Sequence, residues 1–533
     1  MNIIRSQIAK VYQIVSACKT SLSRIAQEVG ISKSSAKRRL DAIKSRSKHP
    51  CAKIFETPEG HQWLVLLVVS TVFMFGVKSN VGSETIAKFL AVIGAHLFIG
   101  LSKSSLHKIE KQIDAMLVDF GKMHDDKLIN VANQIDLLAG ADETFFGNLK
   151  VLLLMDLPSG FILKENISTH RDFDAWTKLT LPLVLKFKSI KCLVSDKAKA
   201  LVKLANVSFE TISSADLFHV MNYVKKFMQF QFSAKIRKCD SQISKLEKAL
   251  AKAVKEELES NEIEAKIVEW QTERNLHHHN QYVYQQQLQE ISAAVHPFDA
   301  KATKKKSSDQ VKQSLNCSAK VLRSIELTSN IKDKYKLLTS FENEITRASS
   351  QIDAWWSWVN SSIDNFKLNK YEADWLLYKL LPTIYWDQQL KKTRNKSMRT
   401  IYKQSFELSL NRLLSDPLSK TIDSDLYKEY ESWANLFSSY FQRTTAAVEG
   451  RNGILSQYVH ATRGLSEQRL NSLTVINNYY IQRSDGSTAL ERFANIKPDC
   501  LIEFLMENIG ELALPRKHKK KNTKCLYLQG VPA

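Results

Sequence analysis

Three acidic residues stand where their type and placing could do chemistry. Asp142 lies in "GADETFF" near the end of one apolar stretch, Asp196 terminates another, "IKCLVSD", and Glu449 sits in "AAVEGRNG" directly before Gly450. Two carboxylates brought together by strand ends can share divalent metal, and hard oxygen ligands suit Mg2+ or Mn2+, which keep several waters and bind phosphate oxygens. A third acid from a helix packed on the sheet completes a two-metal centre, with ions about 3.5–4 Å apart, for in-line displacement at phosphorus. Taken singly, each acid is more simply a solvated surface carboxylate, so the expectation rests on the set. Glycine costs a helix about 1 kcal/mol relative to alanine. Beside Glu449 it has a use, because a residue without a side chain lets metal, water or a DNA backbone approach closely. Gly453 has no such explanation.

Positioning these acids requires a sheet. The runs 137–146, 149–156 and 160–168 are short and apolar or alternating, split by Gly147-Asn148 and by Leu157-Pro158-Ser159-Gly160. That pattern predicts a three-stranded antiparallel meander. An amphipathic helix over 172–188, a fourth strand over 190–196, a helix over 197–204 and a fifth strand over 207–213 follow. The fold class is therefore multi-domain α/β plus α. A mixed sheet of three antiparallel strands then parallel strands has the order of a ribonuclease-H-like domain, here interrupted by a large helical insertion. With strand one central and beside strand four, Asp142 and Asp196 become neighbours. Among rival acids, alternation turns Glu143 to the opposite face, Asp156 ends strand two near the site, and Asp216, before "LFHV", reads as a helix cap.

The chain carries 76 Lys+Arg against 55 Asp+Glu, a balance of +21 that favours a polyanionic partner, nucleic acid before membrane. Residues 3–18 place Ile4, Ile8, Val11 and Val15 on one helical stripe. In 21–46, Ser21 caps a short helix facing inward through Ile25, Ala26 and Val29, Gly30 makes the turn, and Ser32 caps a second helix. That second helix turns Ala36, Leu40 and Ile43 inward and Lys33, Lys37, Arg38 and Arg39 outward, a helix-turn-helix whose basic helix would enter the major groove. Residues 1–60 hold 12 Lys/Arg against 4 Asp/Glu, which favours DNA over a merely solvated face. "LSKSSLHKIEKQI" (101–113), after a candidate helix Glu84 to Ile93, echoes "ISKSSAKRRLDAI" (31–43) and suggests a second helix-turn-helix, structural or dimerising.

Seven scattered cysteines without a CxxC pair indicate a reducing compartment and neither a disulfide framework nor a zinc ribbon. The N-terminus lacks a signal-peptide apolar region. The longest apolar run, Trp63 to Val77, has 15 residues, short of the ~18 needed to span a bilayer, and reads as a buried helix. Ile243, Leu246, Leu250, Val254 and Leu258 mark a helical hairpin or coiled coil with an imperfect heptad. Residues 299–314 look like an exposed basic loop and 516–524 like a disordered basic tail touching phosphates. His277-His278-His279 is no metal cluster on this reading, since consecutive helical residues face different ways. Trp355, Trp356, Trp358, Trp375 and Trp386 read as helical core first and base-stacking platforms second.

The blocks "GADETFFGNLKVLLLMDLPSGFILKENIS", "CLVSDKAKALVKLA", "SADLFHVMNYV" and "TTAAVEGRNGILSQYVHATRGLSEQRLNSLTVINNYYIQRSDGSTALERF" resemble those of bacterial insertion-sequence transposases with an Asp-Asp-Glu triad, in the retroviral-integrase, ribonuclease-H-like superfamily. They cover roughly 140–225 and 440–493. The resemblance implies Asp142, Asp196 and Glu449 as catalytic metal ligands for Mg2+ or Mn2+, two ions in all. It implies hydrolysis of a phosphodiester at the transposon end, then attack of the freed 3′-hydroxyl on target DNA. From Asp196 to Glu449 is 253 residues, longer than in the simplest members, and the helical stretch fits the insertions that several members carry there. Arg451, Arg463 and Arg469 could hold phosphates or be ordinary surface arginines, and Asn452 could orient a carboxylate or touch a base.

The domains expected are a helix-turn-helix at 1–60, a helical region at 61–130, a catalytic domain from 135–225 and 436–495, a helical insertion at 226–435, and a C-terminal helix with basic tail at 496–533. The partners expected are double-stranded DNA, as transposon ends and target, and a second copy of the chain in a homodimer or higher oligomer. The compartment expected is the bacterial cytoplasm, at the nucleoid. The rival readings are a helix-turn-helix regulator with an inactive transposase-like domain, and a nuclease without strand transfer.

Overall fold

The computed structural model describes residues 21–46, 57–147, 149–331, 336–366, 368–441, 445–460 and 464–513, with single positions at 14, 55, 333 and 515. The expected stripe over 3–18 (Ile14 apart), Arg463 and the basic tail lie outside them. The chain divides into two compact units, Met1–Val131 with Ile454–Ala533, and Ala132–Gly453. Of the segment expected at 436–495, residues up to Gly453 belong to the second unit and residues from Ile454 to the first.

In the first unit, α1 (Leu22–Val29) and α2 (Lys33–Arg46) form the expected hairpin. Ser21 accepts from the Arg24 backbone N–H at 3.3 Å, and Gly30 sits at φ 69, a left-handed conformation that glycine adopts without strain. Ile25, Ala26, Val29 and Ala36 are buried together. Ser32 accepts from Ser35 N–H at 3.2 Å, and Ser102 accepts from Ser105 N–H at 3.1 Å, so the two "SKSS" stretches start helices in the same way.

Next come α3 (Pro58–Thr71), which runs into a π-helical stretch Val72–Lys78, then α4 (Ser83–Val92) and α5 (Lys103–Ala132). Pro58–Lys78 is 21 residues, longer than its apolar run because polar Pro58–Gln62 start the helix. It is long and apolar enough to cross a membrane, yet half of that window is buried in the unit, the burial of a core helix.

The second unit opens with β1 (Asp136–Phe146), β2 (Leu149–Asp156) and β3 (Phe161–Ser168), then α6 (Phe173–Val184), β4 (Ser189–Ser195), α7 (Lys199–Lys203) and β5 (Ile212–Ala215). The sheet order is β3-β2-β1-β4-β5, with β1, β2 and β3 antiparallel and β1, β4 and β5 parallel. The mixed α/β sheet plus helices is as expected. The fifth strand starts later than expected because Leu204–Ser208 continues α7 as a π turn.

A helical array follows: α8 (Leu217–Lys255), α9 (Asn261–Ala294), α10 (Ser308–Thr328), α11 (Leu337–Asn365), α12 (Lys370–Trp375), α13 (Leu381–Lys392), α14 (Lys396–Leu414), α15 (Leu418–Thr421) and α16 (Ser424–Tyr440). α8 and α9 pack along each other, but Val254 and Leu258 are exposed, so the apolar seam stops short of the hairpin tip. The five tryptophans are buried, so none is a stacking platform in this structure. The core closes around His296, whose ring nitrogens lie 2.6 and 2.9 Å from the Tyr385 and Tyr402 hydroxyls. Residues 299–314 are no free loop: Ser307 and Gln310 cap α10 reciprocally, and Lys305 lies 4.3 Å over the Trp356 ring. α17 (Ala446–Tyr458) contains the boundary between the units, and α18 (Glu467–Val475), α19 (Ala489–Ala494) and α20 (Leu501–Asn508) belong to the first.

Candidate metal centre at the strand ends

Parallel register sets Asp142 beside Asp196. β1 and β4 pair Gly140 with Val194, and each acid follows two residues later. β4 and β5 pair Ser195 with Ala215, so Asp216, one residue on, stands next to Asp196. Neighbouring strands lie about 4.8 Å apart, so Asp142, inside β1, stands in line with Asp196 and Asp216 just past the ends of β4 and β5; of the three, Asp216 is the one that shares a ligand cluster with Glu449 among the described residues. Asp142 is partly buried, and its carboxyl is pushed up to about 6. Burial is the main cause and repulsion from Asp196 and Asp216 adds to it, against the Glu143 N–H bond and His219.

Glu449 arrives on α17. Val448 is fully buried among Leu138, Leu153, Met155, Cys192 and Val194, which presses this turn of the helix onto the sheet. Asp216 fixes the helix start: its Oδ2 accepts from the Thr445 N–H at 2.8 Å and from the Thr445 hydroxyl. Asp216 stands at the start of α8, where its carbonyl accepts from the Val220 N–H at 3.1 Å, and its carboxylate also holds the start of the helix that carries Glu449, where it complements the helix dipole. Asp216, His219 and Glu449 each offer a ligand atom, all within 4.8 Å of one another. His219 Nε2 lies 3.9 Å from Glu449 Oε1. The Glu449 carboxyl is raised by burial and by Asp216, against the pull of His219.

Asn452, one turn on from Glu449, donates from Nδ2 to Asp142 Oδ2 at 2.9 Å, so it orients a carboxylate. Its own Oδ1 is buried with no hydrogen-bond partner. Carboxylates, an orphaned amide oxygen and one imidazole form a donor set that fits a divalent cation such as Mg2+ or Mn2+. A Cβ on Gly450 would meet nothing within 4 Å, so the protein's own packing does not require glycine there.

The helical array supplies a brace. Arg347 of α11 donates from Nη2 to the carbonyls of Asp196 at 3.1 Å, Ser214 at 3.3 Å and Ser195 at 3.4 Å, and from Nε to Ser213 Oγ at 3.2 Å. Glu344 holds its Nη1 at 2.6 Å. One guanidinium thus binds the ends of both strands that carry Asp196 and Asp216.

The arginines differ from expectation. Arg451 is buried and forks onto Glu165 of β3, at 2.9 and 2.6 Å, which occupies it inside the fold. Arg469 pairs with Asp114 of α5 at 3.0 Å and donates to the Gly76 and Val77 carbonyls at 3.3 Å, satisfying groups that the π stretch leaves over. Arg39 is 4% exposed and faces inward near Glu511, whereas Lys33, Lys37 and Arg38 are exposed as expected. Glu143 does turn to the other face, bonding Trp176 Nε1 at 3.1 Å. Asp156 is locked in the β2–β3 turn by the Ser159 N–H at 3.1 Å and the Ser159 hydroxyl.

Sequence reasoning passed over Asp216 and His219 as site residues. Their signal was present: an acid at a strand end with a histidine three residues on, a spacing that puts both on one helix face.

Residues 376–521 match a family of unknown function, DUF6399. The matched segment takes in Glu449 and Asn452 but not the sheet residues Asp142, Asp196 and Asp216. No curated protein matches the chain.

Proposed function

We propose that this protein is a DNA transposase of the Asp-Asp-Glu type, with a ribonuclease-H-like catalytic domain interrupted by the helical array. The observation that carries the reading is Asp142 of β1 in line with Asp196 and Asp216 just past the ends of β4 and β5, with ligand atoms of Asp216, His219 and Glu449 within 4.8 Å of one another. Asp142, Asp196 and Glu449 would hold Mg2+ or Mn2+, with Asp216 and His219 beside them. Such ions neutralise phosphodiester charge and make water or a 3′-hydroxyl a stronger nucleophile.

The chain's own groups do the rest. Asn452 turns the Asp142 carboxylate, Thr445 holds Asp216, and Arg347 keeps the strand ends in register. Lys33, Lys37 and Arg38 would contact the phosphates of the bound duplex. A homodimer that handles two DNA ends together follows from the same likeness.

The test uses the full chain with a duplex carrying its coding region and flanking sequence, a supercoiled target plasmid, and Mg2+ or Mn2+. Wild type should yield joined molecules. Asp142→Asn, Asp196→Asn, Asp216→Asn and Glu449→Gln should each lower cleavage by about a hundredfold or more. Wild-type cleavage in Asp142→Asn or Glu449→Gln would sink the reading, and cut ends that never join would make the protein a nuclease instead.

A further inference from the structure

The long hairpin of α8 and α9 carries a second cluster of ligating side chains, chemically unlike the acids at the sheet edge. Cys239 of α8 and Glu273 and His277 of α9 each present a ligand atom, all within 4.8 Å of one another. Glu273 and His277 are four residues apart and share a helix face, with Nε2 3.4 Å from Oε1. Flanking contacts set the register that turns Cys239 toward them: Arg274 lies 3.3 Å from Asp240, and Lys238 lies over the Trp270 ring.

Cys239 is 1% exposed and His277 2%; Nε2 of His277 faces Glu273, and its Nδ1 is buried with no hydrogen-bond partner among the described residues. Buried imidazole nitrogens are normally satisfied. A half-satisfied buried ring against a thiol and a carboxylate is the arrangement a cation would complete.

We propose that Cys239, Glu273 and His277 form a three-ligand site for a thiophilic divalent cation, Zn2+ foremost, that clips α8 to α9. A tetrahedral ion with bonds of about 2.0 Å to nitrogen and about 2.3 Å to sulfur sets its ligands roughly 3.5 Å apart, within rotamer adjustment here. Glu273 is half exposed and gives the ion its path from solvent, where water takes the fourth position. Burial disfavours the charged imidazole, which leaves His277 neutral and able to coordinate. The thiol is held protonated by burial, so binding releases its proton to solvent and strengthens with pH. Sulfur and imidazole select against Mg2+, so this site and the acid cluster take different ions. The proposal is independent of the transposase reading.

The test is Co2+ titration of the full-length chain, stripped of metal under reducing conditions. Wild type should develop a thiolate-to-cobalt charge-transfer band at one ion per chain, abolished by Zn2+ and untouched by Mg2+. Cys239→Ser should remove the band. Glu273→Gln, at a half-exposed position that leaves the fold intact, should weaken Co2+ binding by about tenfold or more. Absence of the band in wild type overturns the site, as does a full band in Cys239→Ser, which would place the thiolate elsewhere. If Cys239→Ser does not fold, Glu273→Gln decides alone, and unchanged affinity there overturns the proposal.

Discussion

Asp142 carries the clearest electrostatic signature of the sheet edge. Burial pushes its carboxyl up to about 6, from an ordinary value of 3.8. Between those values the folded state binds more protons than the unfolded one, so stability falls as pH rises through the window. Metal-free protein should therefore melt at a higher temperature at pH 5 than at pH 7.5, once other carboxylates are accounted for by the Asp142→Asn variant. That variant should be the more stable form at pH 7.5, with a flatter profile. Thermal melts of both proteins across pH 4–8 check it, and identical profiles would deny Asp142 its strained charge. Saturating Mn2+ should flatten the wild-type profile too, since a cation held by the carboxylate removes the reason for the proton.

α17 delivers Glu449 and Asn452, and the contact that fixes its azimuth is the Arg451–Glu165 fork. Arg451 therefore acts as a positioning residue from within the fold. Removing one partner of a buried pair strands the other charge, at a cost of about 3–5 kcal/mol. Arg451→Ala should show that loss in denaturant titration, whereas Arg451→Met with Glu165→Leu together should recover most of it. A loss under about 1 kcal/mol for Arg451→Ala would show that the pair holds nothing.

The same pair shows where sequence reading stops. Strands β1 to β4 were legible because side-chain alternation and the Gly147 turn are local signals, and the Asp142–Asp196 juxtaposition followed from parallel register alone. Arg451 meets an acid 286 positions away and Arg469 one 355 positions away, and no local pattern announces such partners. Asp216 was legible as the start of α8 but its hold on α17 was not, since Thr445 lies 229 residues on.

Across the whole chain the excess of basic residues, +21, is the property that most favours a nucleic-acid partner. The α1–α2 hairpin turns that general attraction into a specific test, because its four basic side chains divide by burial. Lys33, Lys37 and Arg38 are exposed on α2, while Arg39, the next residue, is 4% exposed. Each exposed side chain that meets a phosphate releases condensed counterions, and contributes about 0.9 to the slope of log K against log salt. Lys33→Ala, Lys37→Ala and Arg38→Ala should each weaken binding to a mixed-sequence duplex and flatten that slope by about one. Arg39→Met should leave the slope unchanged, its charge being turned into the fold beside Glu511, and should change the melting temperature instead. Fluorescence anisotropy at four or five salt concentrations reads both quantities. A flattened slope for Arg39→Met, or unaltered slopes for all three exposed variants, would move the DNA-binding surface away from α2.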